Sequence, residues 1–160
     1  METALILGIV LAFSFILHEL AHKITAQIEG LWAEFRLIFS GALLTLISIL
    51  TPPFFPKIIS PGAVIIAGIS TIDKVGKTAL AGPLTNLAIA AILAPFTNLP
   101  APWDSVVALG AWINSFMAFF NLIPFGVMDG LKVMLWNKEV WITVFTISIA
   151  LMIYTGLFIF

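Results

Sequence analysis

The sequence predicts an all-α membrane protein, a polytopic bundle of about five membrane-spanning helices with a small β-hairpin near residues 62–78. Composition is the first observation behind this prediction: the 160 residues are 61% hydrophobic and 9% charged, and the mean hydropathy is +1.16. Soluble domains have about 45–50% apolar and about 25% charged residues. The second observation is that apolar stretches near the roughly 20 residues needed for a span recur along the chain. Most of the surface must therefore face lipid.

The apolar stretches predict where the spans lie. They are Thr3–His22, Leu37–Phe55, Ala79–Phe96, Ser105–Phe125 and Val140–Phe160. The first lacks a basic leading region and a small-residue cleavage site, so we interpret it as a retained helix that continues to about Ile28, not as a signal peptide. The second ends among Pro52, Pro53 and Pro56, so a tilted or re-entrant segment is the alternative there.

The predicted hairpin lies between the second and third spans. The apolar run Gly62–Gly68 is followed by a turn-like centre and a second run that ends near residue 78. Such a pattern is typical of two short paired strands. We found neither an internal repeat nor a linker, so a single membrane-embedded domain over residues 1–160 is expected.

Charge and cysteine content exclude several classes of function. The net charge is −1, which provides no basic surface for nucleic acid. The chain has no cysteine, which excludes disulfides, thiolate metal sites and cysteine nucleophiles.

The sequence His18-Glu19-Leu20-Ala21-His22 carries the clearest chemical signal. Residues four apart on a helix share one face and lie about 6 Å apart along its axis. Two imidazoles so placed can bind one zinc ion, and the intervening glutamate can take a proton from water at the metal. The only histidines of the chain are these two. Because ionisable groups at membrane depth are costly, we favour a functional role over a polar patch at a helix end.

A catalytic zinc site needs a third protein ligand. With no further histidine and no cysteine, the ligand must be a carboxylate from the set Glu2, Glu29, Glu34, Asp73, Asp104, Asp129 and Glu139. Asp129 stands out because it follows an apolar span, where Pro124, Gly126 and Gly130 can interrupt the helix and let backbone line a cavity. The pair Asp129-Gly130 is equally typical of a simple turn. The residues alone leave both interpretations open.

Three stretches of the chain together resemble the site-2 protease family of intramembrane zinc metalloproteases. Residues 18–22 match the family's H-E-x-x-H helix, and Gly82-Pro83-Leu84-Thr85-Asn86 matches its G-P-x-x-N stretch. Asn121-Leu122-Ile123-Pro124, followed by Met128-Asp129-Gly130, matches its N-x-x-P-x-x-x-x-D-G segment. The motifs occur in the family's order, and the resemblance covers about residues 10–135.

The resemblance implies a metalloprotease domain that binds Zn²⁺ through His18, His22 and Asp129. It implies that Glu19 activates water and that Asn121 contacts the substrate backbone or the developing oxyanion. The expected substrate is a transmembrane segment of another protein. The expected location is the cell membrane, as a multi-pass protein. The lipid bilayer is therefore an expected partner besides the substrate, and no nucleic acid is expected to bind. For Asn86 and Asn114 we expect packing roles.

Some features depart from the family. The chain has no stretch long enough for a PDZ or CBS domain, and Leu37–Phe55 is longer than the family's usual segment there. Phe125-Gly126-Val127-Met128 stands where relatives usually have a second proline and a leucine. The alternative function is a catalytically inactive membrane module, or a metal-binding membrane protein, that retains the fold. The presence of Glu19 argues against loss of activity.

Overall fold

The computed structural model describes residues 2–37, 39, 62–101 and 103–159. These residues form five α-helices and one small sheet in the order α1 (Glu2–Ile28), β1 (Trp32–Leu37), β2 (Gly62–Ala67), α2 (Ile72–Leu93), α3 (Trp103–Asn121), α4 (Asp129–Trp136) and α5 (Lys138–Gly156). A 3-10 turn at Ala94–Phe96 follows α2. Helix α2 is central: it packs against α1, α3 and α4, while α5 packs mainly against α3.

The prediction of a helical membrane protein is confirmed. Four helical segments are long and apolar enough to cross a membrane, namely Gly8–Ile28, Ile72–Phe96, Trp103–Asn121 and Lys138–Gly156. They correspond to the first, third, fourth and fifth predicted spans. The span predicted at Leu37–Phe55 lies outside the described residues, apart from Leu37 at the end of β1 and the single residue Phe39.

The predicted position of the hairpin was wrong. A strand does form at Gly62–Ala67, but it pairs antiparallel with Trp32–Leu37, and Val64 lies opposite Phe35. The second half of the predicted hairpin is the first part of α2, which begins at Ile72. The side chain of Thr71 accepts a hydrogen bond from the backbone N–H of Lys74, which caps the helix. This cap and Asp73 in the first turn favour a helix where the sequence analysis expected a returning strand.

An apolar core lies where α2, α3 and α5 meet. It contains Leu87, Ala118, Leu122 and Val144, all buried. A polar contact lies in the same interface, between the buried hydroxyls of Ser115 and Thr155, 2.8 Å apart. This core holds the end of α3 in place, and α4 follows from that end.

Helix α4 is attached to the start of α2 through Trp136. The indole N–H of Trp136 donates to the carboxylate of Asp73 at 3.0 Å. Below this bond the ring lies directly on Gly76, where an added Cβ would be 2.2 Å from both Cβ and Cγ of Trp136. The glycine therefore allows α4 to pack closely on α2.

We predict that Gly76→Ala lowers stability. Alanine forms helices better than glycine by about 1 kcal/mol, but overpacking a filled site costs about 1–3 kcal/mol. A net loss is expected, measured as a lower thermal unfolding midpoint in detergent. Gly8→Ala on α1 is the matched control, because a Cβ there meets nothing within 4 Å. A midpoint that rises equally in both variants would contradict the packing argument.

Candidate metal centre

His18 and His22 lie on one face of α1, one helical turn apart. Both are buried, at 2% and 8% exposure. Their Nε2 atoms point toward the same place and lie 3.0 Å apart. The imidazole rings meet edge to face, with centroids 4.6 Å apart. The helical spacing therefore brings two nitrogen ligands to one point, as the sequence predicted.

Asp129 approaches the histidine pair from the first turn of α4. The helix begins directly after the turn that follows α3, and it packs so tightly on that turn that a Cβ on Gly130 would lie 2.0 Å from the carbonyl oxygen of Leu122. The indole N–H of Trp141 donates to the same carbonyl at 2.8 Å. Gly130 thus permits, and Trp141 reinforces, the close approach that places Asp129 beside α1.

The three side chains form a compact group of possible metal ligands. Oδ2 of Asp129 lies 3.0 Å from Nε2 of His22 and 3.5 Å from Nε2 of His18. One ligand atom from each residue lies within 4.8 Å of the others, and all three residues are buried. Zinc bonds of about 2.0–2.2 Å in a tetrahedral arrangement place neighbouring ligand atoms roughly 3.3–3.5 Å apart. Two of the three separations are shorter than this by about 0.3 Å, so His18, His22 and Asp129 would hold one zinc ion after a small outward movement of the ligand atoms.

The outer nitrogens of both rings have fixed partners. Nδ1 of His22 lies 2.7 Å from the carbonyl oxygen of Thr78, and Nδ1 of His18 is hydrogen-bonded to Oδ1 of Asn86. Both partners are acceptors, so each Nδ1 carries the proton, and Nε2 of the neutral ring presents a lone pair to the centre. Histidines that ligate metals are typically oriented in this way by outer partners.

Gly82 on α2 leaves the space for an ion open. A Cβ built on Gly82 would lie 2.4 Å from Nε2 of His22 and 2.6 Å from Nε2 of His18. Zinc–nitrogen bonds are about 2.0–2.1 Å long, so a methyl group at this point would overlap the space that a bound ion needs. The missing side chain is therefore the reason that the space between the two nitrogens is accessible.

The charge state of Asp129 suits a ligand. Burial opposes ionisation of Asp129, but the nearby positive charge of Lys132 favours the carboxylate form. Lys132 contacts the other carboxylate oxygen, Oδ1, at 3.0 Å. Asp129 is thus a carboxylate at neutral pH, and Oδ2 faces the histidines.

The two predicted catalytic residues, Glu19 and Asn121, lie on different helices and have different hydrogen-bond partners. Glu19 is half-buried on α1, directly after His18 in the chain. Its Oε2 accepts a hydrogen bond of 3.1 Å from the backbone N–H of Val64. Asn121 ends α3, and its side-chain N–H donates to the carbonyl of Met117 at 2.9 Å. The catalytic roles of Glu19 and Asn121 stay predictions.

Sequence reasoning missed three contributors to the centre: the carbonyl of Thr78, the bare α-carbon of Gly82 and the side chain of Asn86. Asn86 was expected only to pack, yet it is fully buried and bonded to His18. The motif Gly82-Pro83-x-x-Asn86 on an apolar helix was the available signal, because a polar residue at membrane depth usually has a function. The backbone carbonyl of Thr78 gives no sequence signal at all.

The fold and the site together define a membrane protein with a buried candidate metal centre of two histidines and one aspartate. A protein of Methanocaldococcus jannaschii named "Putative zinc metalloprotease" is 39% identical to the chain over 144 residues, which cover 88% of the chain and 74% of that relative. The chain therefore belongs to the family of this archaeal protein. Neither a protein-family model nor a solved structure matches the chain.

We predict that Gly82→Ala abolishes metal binding while the protein stays folded. The added methyl group would occupy the space between the two Nε2 atoms, from which it would lie 2.4 and 2.6 Å away. Metal content after dialysis against zinc, measured by elemental analysis, should fall from about one ion per chain to near zero. Leu84→Ala on the same helix is the control, because Leu84 is exposed. Full metal content in Gly82→Ala would place the ion elsewhere.

Proposed function

We propose that this protein is an intramembrane zinc metalloprotease of the site-2 protease type. It hydrolyses a peptide bond in or near transmembrane segments of other membrane proteins, and it works as a multi-pass protein of the cell membrane. The observation that carries the proposal is the buried cluster of His18, His22 and Asp129. Its two histidines lie on a helix that is long and apolar enough to cross a membrane. The name of the archaeal relative supports zinc and proteolysis.

His18, His22 and Asp129 would hold the ion through two Nε2 atoms and Oδ2. When bound, Zn²⁺ acts as a Lewis acid toward the scissile carbonyl and makes water acidic enough to deprotonate near neutral pH. Asn86 and Thr78 hold the rings in the orientation that the ligands need.

Glu19 is the proposed general base. It follows His18 directly on α1, and its carboxylate lies within electrostatic reach of both imidazoles and Asp129. The bond from Val64 N–H holds one carboxylate oxygen, which restricts the side chain while the other oxygen can accept a proton from water. Proton transfer by a carboxylate so placed contributes about 10²–10⁴-fold to rate.

The substrate must present an extended backbone to be cut. A transmembrane helix hides its peptide groups in internal hydrogen bonds, so it must unwind locally before hydrolysis. Strand β2 offers a template for the unwound segment. The N–H of Val64 points to Glu19, away from β1, so every second N–H along β2 lies on the edge that faces α1. A substrate strand that pairs with this edge would lie beside Glu19.

Asn121 is the proposed donor to the substrate backbone or to the oxyanion that develops during hydrolysis. It is half-buried at the end of α3, shortly before the turn that leads to Asp129. Its N–H currently bonds Met117, so reaching a substrate requires a change of side-chain rotamer.

The alternative is an inactive membrane protein that binds metal through the same ligands. Such a module requires the ion but has no use for a half-buried carboxylate beside it. Glu19 is present and is held by Val64, which favours the protease. One variant distinguishes the two functions: in a protease, replacing Glu19 should lower cleavage and leave the metal content unchanged.

We predict that Glu19→Gln lowers cleavage at least about 100-fold, because the general base is lost, while the zinc content stays near that of the native protein. Asp129→Ala removes a ligand, so we expect both activity and zinc to be lost. Cleavage is measured by gel and mass spectrometry on single-span proteins reconstituted with the enzyme in lipid vesicles.

Glu29→Gln is the matched control for Glu19→Gln. Glu29 follows α1 directly in the chain, and its carboxylate pairs with Lys77 at 3.6 Å, away from the histidines. Cleavage by Glu29→Gln should equal that of the native protein. Undiminished cleavage by Glu19→Gln would refute the proposed base, and zinc fully retained in Asp129→Ala would move the third ligand elsewhere.

We also predict that Ile66→Pro slows cleavage without loss of zinc. Ile66 lies two residues beyond Val64, so its N–H belongs to the same edge of β2. Proline removes that donor and leaves the alternate N–H groups that pair with β1. Ile66→Ala keeps the N–H and serves as the control. Equal cleavage rates for the two variants would remove substrate pairing on β2 from the proposal.

A further inference from the structure

A network of hydrogen-bonded, buried polar side chains runs from His18 through the helices around it. The side-chain N–H of Asn86 donates to Oδ1 of Asn114 at 2.8 Å, and the N–H of Asn114 donates to the hydroxyl of Ser14 at 2.9 Å. The hydroxyl of Ser14 donates in turn to the backbone carbonyl of Val10 at 2.8 Å. Asn86, Asn114 and Ser14 are 0%, 2% and 3% exposed. This network links α1, α2 and α3 inside the bundle.

The end of this network that lies farthest from His18 fixes which group donates and which accepts in each hydrogen bond. A backbone carbonyl can only accept, so Ser14 must donate to Val10 and its hydroxyl oxygen is left to accept from Asn114. The side-chain N–H of Asn114 also donates to the carbonyl of Gly110 at 2.9 Å, another group that only accepts. The amide of Asn114 is therefore oriented with its oxygen toward Asn86.

The orientation of Asn114 then sets that of Asn86. The side-chain N–H₂ of Asn86 donates to Oδ1 of Asn114 at 2.8 Å and, over a longer distance of 3.5 Å, to the backbone carbonyl of Ser14. Asn114 makes the shorter bond of the two, and this bond turns the oxygen of Asn86 toward His18. A flipped Asn86 would place two oxygens against each other in a buried, low-dielectric site, which is costly. The oxygen that faces Nδ1 of His18 requires a proton there, which leaves Nε2 free to bind a metal.

We propose that Asn114 is a positioning residue of the metal centre, although it touches no ligand. It selects the orientation of Asn86, and Asn86 selects the tautomer and ring orientation of His18. This inference rests on the proposed function in that it takes the group of His18, His22 and Asp129 as a zinc site. It assigns Asn114 a role in metal affinity that goes beyond holding helices together.

A purely structural role for Asn114 is the competing explanation, and α3 offers an internal comparison. The next residue, Ser115, is also fully buried and also bonds across to another helix, through Thr155 on α5. That contact does not lead to His18. Removing it should therefore weaken packing between helices while leaving metal affinity unchanged.

The first test measures the dissociation constant for zinc by competition with a chelator at constant pH. Asn114→Leu should weaken zinc binding about tenfold, the lower range for loss of an outer partner of a metal ligand. Ser115→Ala should change it less than about twofold, since Ser115 has no link to the centre. Should Asn114→Leu yield too little folded protein, Asn114→Ser replaces it: the shorter side chain cannot make the 2.8 Å bond to Asn86, and the same loss is expected.

The second test repeats the substitution in Asn86→Ala protein. This variant has no side-chain amide for Asn114 to orient, so Asn114 can no longer act on His18 through residue 86. Asn86→Ala alone should weaken zinc binding about tenfold, and adding Asn114→Leu to it should cost less than about twofold more, although it costs about tenfold in the native background. Equal further losses in the two backgrounds, or no loss in either, would overturn the proposed role of Asn114.

The outcomes separate this inference from the proposed function. If the native protein binds no zinc, the function itself fails. If the native protein and Glu19→Gln bind zinc equally, and Asn114→Leu binds it as tightly as Ser115→Ala does, the function stands and the positioning role alone is lost.

Discussion

The approach of one carboxylate to two imidazole nitrogens is the constraint on which the rest of the structure depends. Oδ2 of Asp129 and the Nε2 atoms of His18 and His22 lie 3.0–3.5 Å apart. Three electron-rich atoms so close together in a buried site repel one another unless a positive charge lies among them. The proposed zinc ion would supply that charge, and the packing of the surrounding helices holds the three atoms close together.

Small residues make this approach possible. Helix packing in membranes relies on close backbone contact at glycine and similar residues. Gly76 receives the ring of Trp136, Gly130 lies against the carbonyl of Leu122, and Gly82 leaves the ligand space open. The first two bring α4 close to its neighbours, and the third keeps α2 from filling the centre. Replacing Gly76 or Gly130 would therefore act on the site through the packing of α4, whereas replacing Gly82 would fill the ligand space directly.

Polar groups inside the bundle are paired in a way that serves the centre. Asn86, Asn114 and Ser14 bond to one another and to backbone carbonyls, and Glu19 bonds to the edge of β2. Buried polar networks of this kind specify one arrangement when every member is satisfied. In lipid this restriction is stronger, because water is not at hand as an alternative partner. The same bonds thus hold the helices and orient the reactive side chains.

The sequence by itself determined the membrane class, the helical spans and the His18–His22 pair, because hydropathy and the four-residue spacing are local properties of a helix. It could not decide whether Asp129 was a ligand or part of a turn, because that depends on how α4 packs on the turn after α3 through Gly130 and on α2 through Trp136. It misplaced the partner of strand β2, because pairing between Trp32–Leu37 and Gly62–Ala67 joins segments far apart in the chain. The orientation of the imidazoles by Thr78 and Asn86 likewise came only from the tertiary structure, since a backbone carbonyl carries no residue signature and an asparagine shows its partner only when the helices are assembled.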